Sequence, residues 1–189
     1  MIVGVDEAGR GPLAGAVVVC ALAFKKKPPF TVRDSKVLSS AHRQEIFSLL
    51  GEYAVFKVAL ASAREIDKIN ILEATFLAFN RAIKGLLEIA PSLGSARFII
   101  DGTLFRTNLD INYVCMKRAD SRIKEVSAAS IMAKVTRDHL MSSLDFLYPQ
   151  WGFGKHKGYP TKEHMRQVHC CDLTPFHRKS FYPCSKFSS

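Results

Sequence analysis

Ile2-Val3-Gly4-Val5-Asp6-Glu7-Ala8-Gly9-Arg10-Gly11-Pro12 decides how the rest of the chain is read. Its apolar opening is a short buried strand, and where that strand runs out it delivers two adjacent carboxylates followed by a Gly-rich turn. Function gathers at such strand ends, because a rigid sheet fixes the side chain while leaving its head open to solvent. Phe98-Ile99-Ile100 delivers Asp101 in the same way, with Gly102 next. Asp120 occupies a third such place, between a strand ending near Met116 and a long helix. Each acid alone has an ordinary reading: Asp101-Gly102 as a turn, Asp6 as a loop cap, Asp120 at a helix N-terminus. Taken together, they converge if their strands are neighbours.

Converging carboxylates repel one another, and burying them unpaired costs several kcal/mol per ion. A positive partner is therefore expected between them. Oxygen-only ligands select a hard divalent cation, Mg²⁺ or Mn²⁺, over zinc. Two such ions about 3.5–4 Å apart would clamp the attacking water and the leaving oxygen of a phosphodiester.

The charge balance points the same way. The 189 residues carry 27 Lys plus Arg against 17 Asp plus Glu, a net charge of +10 that attracts polyanions, nucleic acid foremost. Basic residues cluster at Lys25-Lys26-Lys27, Lys117-Arg118, and Lys155 with Lys157. Apolar residues make up 48% of the chain, enough for one substantial core, and no run approaches the roughly 18 apolar residues of a membrane span. Met1 leads straight into the first strand without a basic region and long apolar run, so a cytoplasmic protein with no membrane contact is expected. Five cysteines at irregular spacing suit a reducing compartment. His164, His169, Cys170, Cys171 and His177 look superficially like zinc ligands but match no standard ligand spacing.

Leu13 to Phe24 reads as a second strand, and Pro28-Pro29 as a break. Ser40 is a plausible N-cap for a helix to about Leu50 that stops at Gly51; Tyr53 to Leu60 is the next strand. Asn70, with Glu73 three residues on, caps a helix whose Leu72, Phe76, Phe79, Ile83 and Leu86 form one apolar stripe. Pro91 to Ser95 ends it. Arg97 to Ile100 and Ile111 to Met116 are short strands, Lys124 to Leu147 a long Ala-rich helix, and Thr161 to His169 a further helix. The order gives an α/β fold: a mixed sheet flanked by helices over 1–148, and a helical C-terminal extension over 149–189 packed on it.

Val5-Asp6-Glu7-Ala8-Gly9-Arg10-Gly11-Pro12 resembles the signature opening of the ribonuclease HII family. Further stretches resemble the same family in the same order. They are Asp34-Ser35-Lys36, Ile69-Asn70-Ile71, Asp101-Gly102, Ala128 to Val135 with Arg137-Asp138, His156-Lys157-Gly158-Tyr159, and His177-Arg178-Lys179-Ser180-Phe181. The likeness runs from about Gly4 to Phe181. It implies a ribonuclease H-like fold and an endonuclease that cuts the RNA strand of RNA–DNA hybrids, leaving 5′-phosphate and 3′-hydroxyl ends. It also implies incision of duplex DNA beside an embedded ribonucleotide. The family's metal-binding acids correspond to Asp6, Glu7, Asp101 and Asp120, its ribonucleotide-recognising turn to Gly9, Arg10 and Gly11, and its junction-packing tyrosine to Tyr159. Members commonly have Gly-Asp where this chain has Ala119-Asp120.

Lys36 and Lys157 are the leading candidates for gripping neighbouring phosphates, contacts that give affinity without reading sequence. Asp138, four residues after Lys134 on the long helix, reads as its ion-pair partner rather than a ligand. The expected protein is a monomer that works with Mn²⁺ or Mg²⁺. Two alternatives remain at this point: a junction-resolving nuclease on the same fold, and a non-catalytic binder of duplexes. Four converging acids argue against the second, since a binder of polyanions gains nothing from concentrated negative charge.

Overall fold

The computed structural model describes residues 1–30, 32 and 39–187. The expected contact residue Lys36, with Asp34 and Ser35, lies outside them. A five-stranded sheet in the order β3-β2-β1-β4-β5 forms the centre. β1 (Ile2–Ala8) pairs antiparallel with β2 (Val17–Phe24), which pairs antiparallel with β3 (Ala54–Ala61). On its other side β1 pairs in parallel with β4 (Arg97–Asp101), and β4 in parallel with β5 (Asn112–Met116).

Strand alternation divides the apolar side chains between two faces. Val3, Val5, Val17, Val19 and Ala21 join Phe76, Phe79, Ile83 and Leu86 of α2 (Ala63–Ile89) on one face. Val18, Cys20 and Leu22 pack on the other, against Ile46 and Leu50 of α1 (Ser40–Tyr53) and Ala128, Ile131 and Met132 of α3 (Lys124–Leu147). α3 crosses β1 at very short range. A Cβ on Gly4 would stand 2.2 Å from backbone atoms of Glu125 and Val126, so glycine is what lets the helix lie against the strand.

Beyond α3 the chain adds α4 (Phe153–His156) and α5 (Lys162–Cys170), capped by the Thr161 hydroxyl. Trp151, Phe153, Val168 and Cys184 bury themselves against Leu13, Ala14 and Met141. That packing corrects the second strand, which begins at Val17 rather than Leu13. The Leu13 amide donates to Gly158, and Ala14 bridges to His177, so this segment belongs to the C-terminal part. No helix among the described residues is long and apolar enough to cross a membrane.

Three helix boundaries also differ from expectation. α1 is capped by Ser39, whose Oγ accepts from the His42 amide, and it runs through the exposed Gly51 to Tyr53. α2 starts at Ala63, seven residues before Asn70, because Ser62 and Glu65 form a reciprocal capping box. Asn70 does cap the second, longer part of α2: at φ 67° it breaks the helix, and its Oδ1 accepts from the amides of Leu72 and Glu73. Leu72, expected in the apolar stripe, is 36% exposed, while Phe76, Phe79, Ile83 and Leu86 are buried.

Candidate metal centre and nucleic-acid interface

The register of two parallel strands builds the site. Val5 stands beside Ile100, so the next residues, Asp6 on β1 and Asp101 at the end of β4, emerge side by side. Alternation sets their direction. Val3 and Val5 face α2, so Gly4 and Asp6 face α3; Ile100 faces α2, so Ile99 and Asp101 face α3. Asp120 arrives on a short 3₁₀ turn (Ala119–Ser121) just before α3, anchored by the packing of Ala119 with Ile99 and Val126. Asp6, Asp101 and Asp120 each offer a carboxylate oxygen, and all three oxygens lie within 4.8 Å of one another.

Glu7, next along β1, sits outside that set of three, as alternation requires. Its head still lines a pocket of about 300 Å³ together with Asp6 and Asp101, 3.6 Å from Arg10 Nη1, with Oε2 buried and unpartnered among the described residues. The charges strain one another. Burial foremost, then the neighbouring Glu7 and Asp101 carboxylates, holds the Asp6 carboxyl well above its usual range, against hydrogen bonds from Ser130 and the Glu7 amide. Burial also raises Glu7; Arg10 opposes this and Asp101 adds to it. Asp101 is oriented by the Ala119 amide, 2.7 Å from its Oδ1. The Ala119-Asp120 departure does not disturb the backbone: Arg118, not Ala119, takes the left-handed conformation, with φ 55°.

A buried, mutually repelling set of oxygen donors fits a hard divalent cation. The orphaned Glu7 oxygen is a further donor of the same kind. Around the acids, Ser130 and Lys134 rise from α3, Arg43 from α1, and Tyr159 from the loop after α4. Tyr159 is 40% exposed, its ring 5.8 Å from Lys134 Nζ and 5.7 Å from Arg137 Cζ, at cation–π range. Gly9 and Arg10 line the pocket from the other side, and Gly11 is exposed beside them.

Lys157 is not in the acid pocket. It lines an adjoining groove with Ser40, Gln44 and His139, which Arg43 joins to the first, and its Nζ donates to Ser142 Oγ at 2.7 Å. Asp138 pairs with Lys134 at 2.8 Å, away from the acids. Sequence reasoning gave no role in the site to Arg43, Ser130, Lys134, Arg137 and Arg178, although all but Arg43 lie in the stretches that resemble the family. Ser130, Lys134 and Arg137 recur at helical spacing in α3, a periodicity that could have exposed them; Arg178 is marked only by the family-like stretch around it, and Arg43 by neither signal.

The histidine and cysteine cluster is built otherwise. Cys170 and Cys171 are exposed, and His169 packs on Phe187. His164 and His177 do meet, with Nε2 atoms 3.2 Å apart, and His156 stacks on His164. Thr174 donates to His177 Nδ1, leaving His177 Nε2–H to donate to His164 Nε2, while His164 Nδ1–H donates to the Tyr159 carbonyl. No ring nitrogen in that chain is left over for a metal.

Known proteins share both the sequence and the fold. The sequence profile described as ribonuclease HII matches residues 3–184. Ribonuclease HII of Chromobacterium violaceum is 45% identical over 184 residues, covering 96% of this chain and 90% of the relative. Among solved structures, ribonuclease HII in a PCNA complex from Archaeoglobus fulgidus superposes with a TM-score of 0.79 at 23% identity, covering 96% of this chain and 95% of that one. Ribonuclease H2 of Pyrococcus horikoshii OT3 gives 0.75 at 26% identity, covering 98% and 96%.

Proposed function

The chain belongs to the ribonuclease HII family, a family of divalent-metal-dependent nucleases that hydrolyse the RNA strand of RNA–DNA hybrids, and from that premise we propose its finer chemistry. In this proposal the protein also incises duplex DNA beside a single embedded ribonucleotide, leaving 5′-phosphate and 3′-hydroxyl ends. The observation that carries the reading is the meeting of Asp6, Asp101 and Asp120, from three separate elements, with one carboxylate oxygen of each within 4.8 Å of the others, at a place where burial and neighbouring carboxylates hold the Asp6 carboxyl well above its usual range.

Asp6, Asp101 and Asp120, with Glu7 at their edge, would hold two Mg²⁺ or Mn²⁺ ions. Bound there, such ions supply a lowered pKa for the attacking water and charge neutralisation at the departing 3′-oxygen. The chain's own residues do the rest. Ser130 and the Glu7 amide fix the Asp6 carboxylate, and the Ala119 amide fixes Asp101, so the donors need no reorganisation when substrate arrives. The Gly9-Arg10-Gly11 turn approaches the ribose closely, and the 2′-hydroxyl is what distinguishes RNA from DNA there. Tyr159 offers its ring to the sugar or base at the junction. Arg43 and Lys157, with Lys36, grip flanking phosphates without reading sequence. The working unit is a cytoplasmic monomer.

The test is a cleavage assay on duplex DNA carrying one ribonucleotide, with Mg²⁺, Mn²⁺ or chelator. A nick beside the ribonucleotide, present with either ion and absent with chelator, is expected. Binding without turnover would replace this reading with a non-catalytic one. Cutting of branched all-DNA substrates alone would make the protein a junction-resolving enzyme.

A further inference from the structure

Two fully buried arginines have no carboxylate in an ion pair with them among the described residues. The guanidinium protons of Arg178 and Arg137 go to backbone carbonyls instead. Burying a cation in this way is costly, and what each one holds is specific. Arg178 donates to the Gly9 carbonyl at 2.5 Å, to Arg10 at 2.8 Å, and to Gly15 from two of its nitrogens. Residues 9 and 178 lie at opposite ends of the chain, and β1 delivers the acids immediately before this turn. Arg137 donates to Ala14, Ala16 and Lys157 and lies beneath the Tyr159 ring. A Cβ on Gly9 would stand 2.1 Å from Arg137 Nε, so the turn rests directly on that second guanidinium.

These contacts set the orientation of the turn. In a trans peptide the C=O of one residue and the N–H of the next point in opposite directions. With the Gly9 and Arg10 carbonyls drawn inward to the buried Arg178, the amides of Arg10 and Gly11 point away from it, in a turn whose Gly9 and Arg10 line the acid pocket. Among the described residues neither amide meets a protein acceptor.

We propose that Arg178 is a positioning residue for ribonucleotide recognition: by holding the Gly9 and Arg10 carbonyls it aims the Arg10 and Gly11 amides at a ribose 2′-hydroxyl. The inference rests on the reading that this turn meets the ribonucleotide. It explains the choice of arginine, because three carbonyls are satisfied at once only by a planar fork of donors, which lysine lacks. Arg137 links the same turn to Tyr159, so the amide donors and the aromatic platform share one rigid support.

Equilibrium binding in chelator tests this, using the full chain and two duplexes that differ only in one 2′-hydroxyl. The parent should favour the ribonucleotide duplex by about tenfold, the worth of a well-made hydrogen bond. Arg178→Lys should cut that preference to about twofold or less while affinity for all-DNA duplex, set by phosphate contacts, stays within about twofold of the parent. Phe181→Leu withdraws the ring over which the Arg178 guanidinium lies, 5.1 Å away, and should lower the preference about threefold. It decides the matter if Arg178→Lys loses its cooperative melt. Unchanged preference in the folded variants, or a parallel loss of both affinities, would make Arg178 structural only and overturn the inference. A parent with no preference would overturn the reading of the turn as well.

Discussion

Two clusters of buried titratable groups stand in this protein, and they are built on opposite principles. At the sheet end, Asp6, Asp101 and Asp120 crowd together, a Glu7 oxygen has no partner among the described residues, and burial, then repulsion from Glu7 and Asp101, drives the Asp6 carboxyl upward. In the C-terminal part, His156, His164 and His177 crowd just as closely among Trp151 and Phe153. There every proton has an assigned place. His156 donates to the Trp151 carbonyl and accepts from the Gly158 amide, and the His177–His164–Tyr159 chain is equally complete. Burial holds His164 down to about 4, and burial with the adjacent His164 holds His177 down to about 3, so both are neutral in the folded chain. A cluster that satisfies itself is cement; a cluster that cannot is waiting for something from solution. The two are connected, because the last acceptor of the histidine chain is the carbonyl of Tyr159, whose side chain faces the acids.

The largest contrast lies in activity. Asp101→Asn should lower single-ribonucleotide cleavage by at least about 10³-fold, since metal-held charge at the transition state is worth several kcal/mol. Duplex affinity should stay within about threefold, by fluorescence anisotropy in chelator. His164→Leu strikes the other cluster. It strands the His177 Nε2–H and the Tyr159 carbonyl, and should cost about 2–4 kcal/mol in urea unfolding. Acid should sharpen the difference further. A histidine buried neutral takes up its proton only on unfolding, so its contribution is present above the unfolded value of 6.5 and fades as pH falls toward 4 and 3. Each of the two should account for about 2 kcal/mol lost between pH 7.5 and 5. An Asp6→Asn, Glu7→Gln background keeps the opposite contributions of the two raised carboxyls out of that measurement.

Asp6→Asn alone should behave unlike an ordinary core substitution. Removing a strained charge should raise the stability of the metal-free protein by about 1–2 kcal/mol, and the added protection by Mn²⁺ should shrink, both read from thermal melts. A destabilised Asp6→Asn would erase the contrast between the clusters. Least of all, Ser130→Ala removes one hydrogen bond to Asp6 and should slow cleavage about threefold, with the melt unchanged within error.

Much of this arrangement is legible in the residues. Local chemistry placed β1, β4 and the long helix Lys124–Leu147, because buried strands and an Ala-rich helix carry their periodicity with them. It picked out Asp6, Asp101 and Asp120, because acids at strand ends have no local partner to explain them. Where competing local signals existed, the reading slipped. Ser39 and Ser40 are equally good caps by residue type, and the apolar run from Leu13 looks like strand until its partners, Gly158 and His177, are known.

Sequence alone determined which side chains were available: the acids, the glycine turn, the basic surplus and the tyrosine. The tertiary structure decided how they are used. Only the parallel pairing of β1 with β4, and the face that alternation assigns, bring three acids to one point and set Glu7 aside. Only the return of the chain beneath the first turn gives Arg178 the carbonyls of Gly9 and Arg10. Pairings between residues so far apart in the chain leave no periodicity in a sequence, because they are fixed by packing and not by neighbours along the chain.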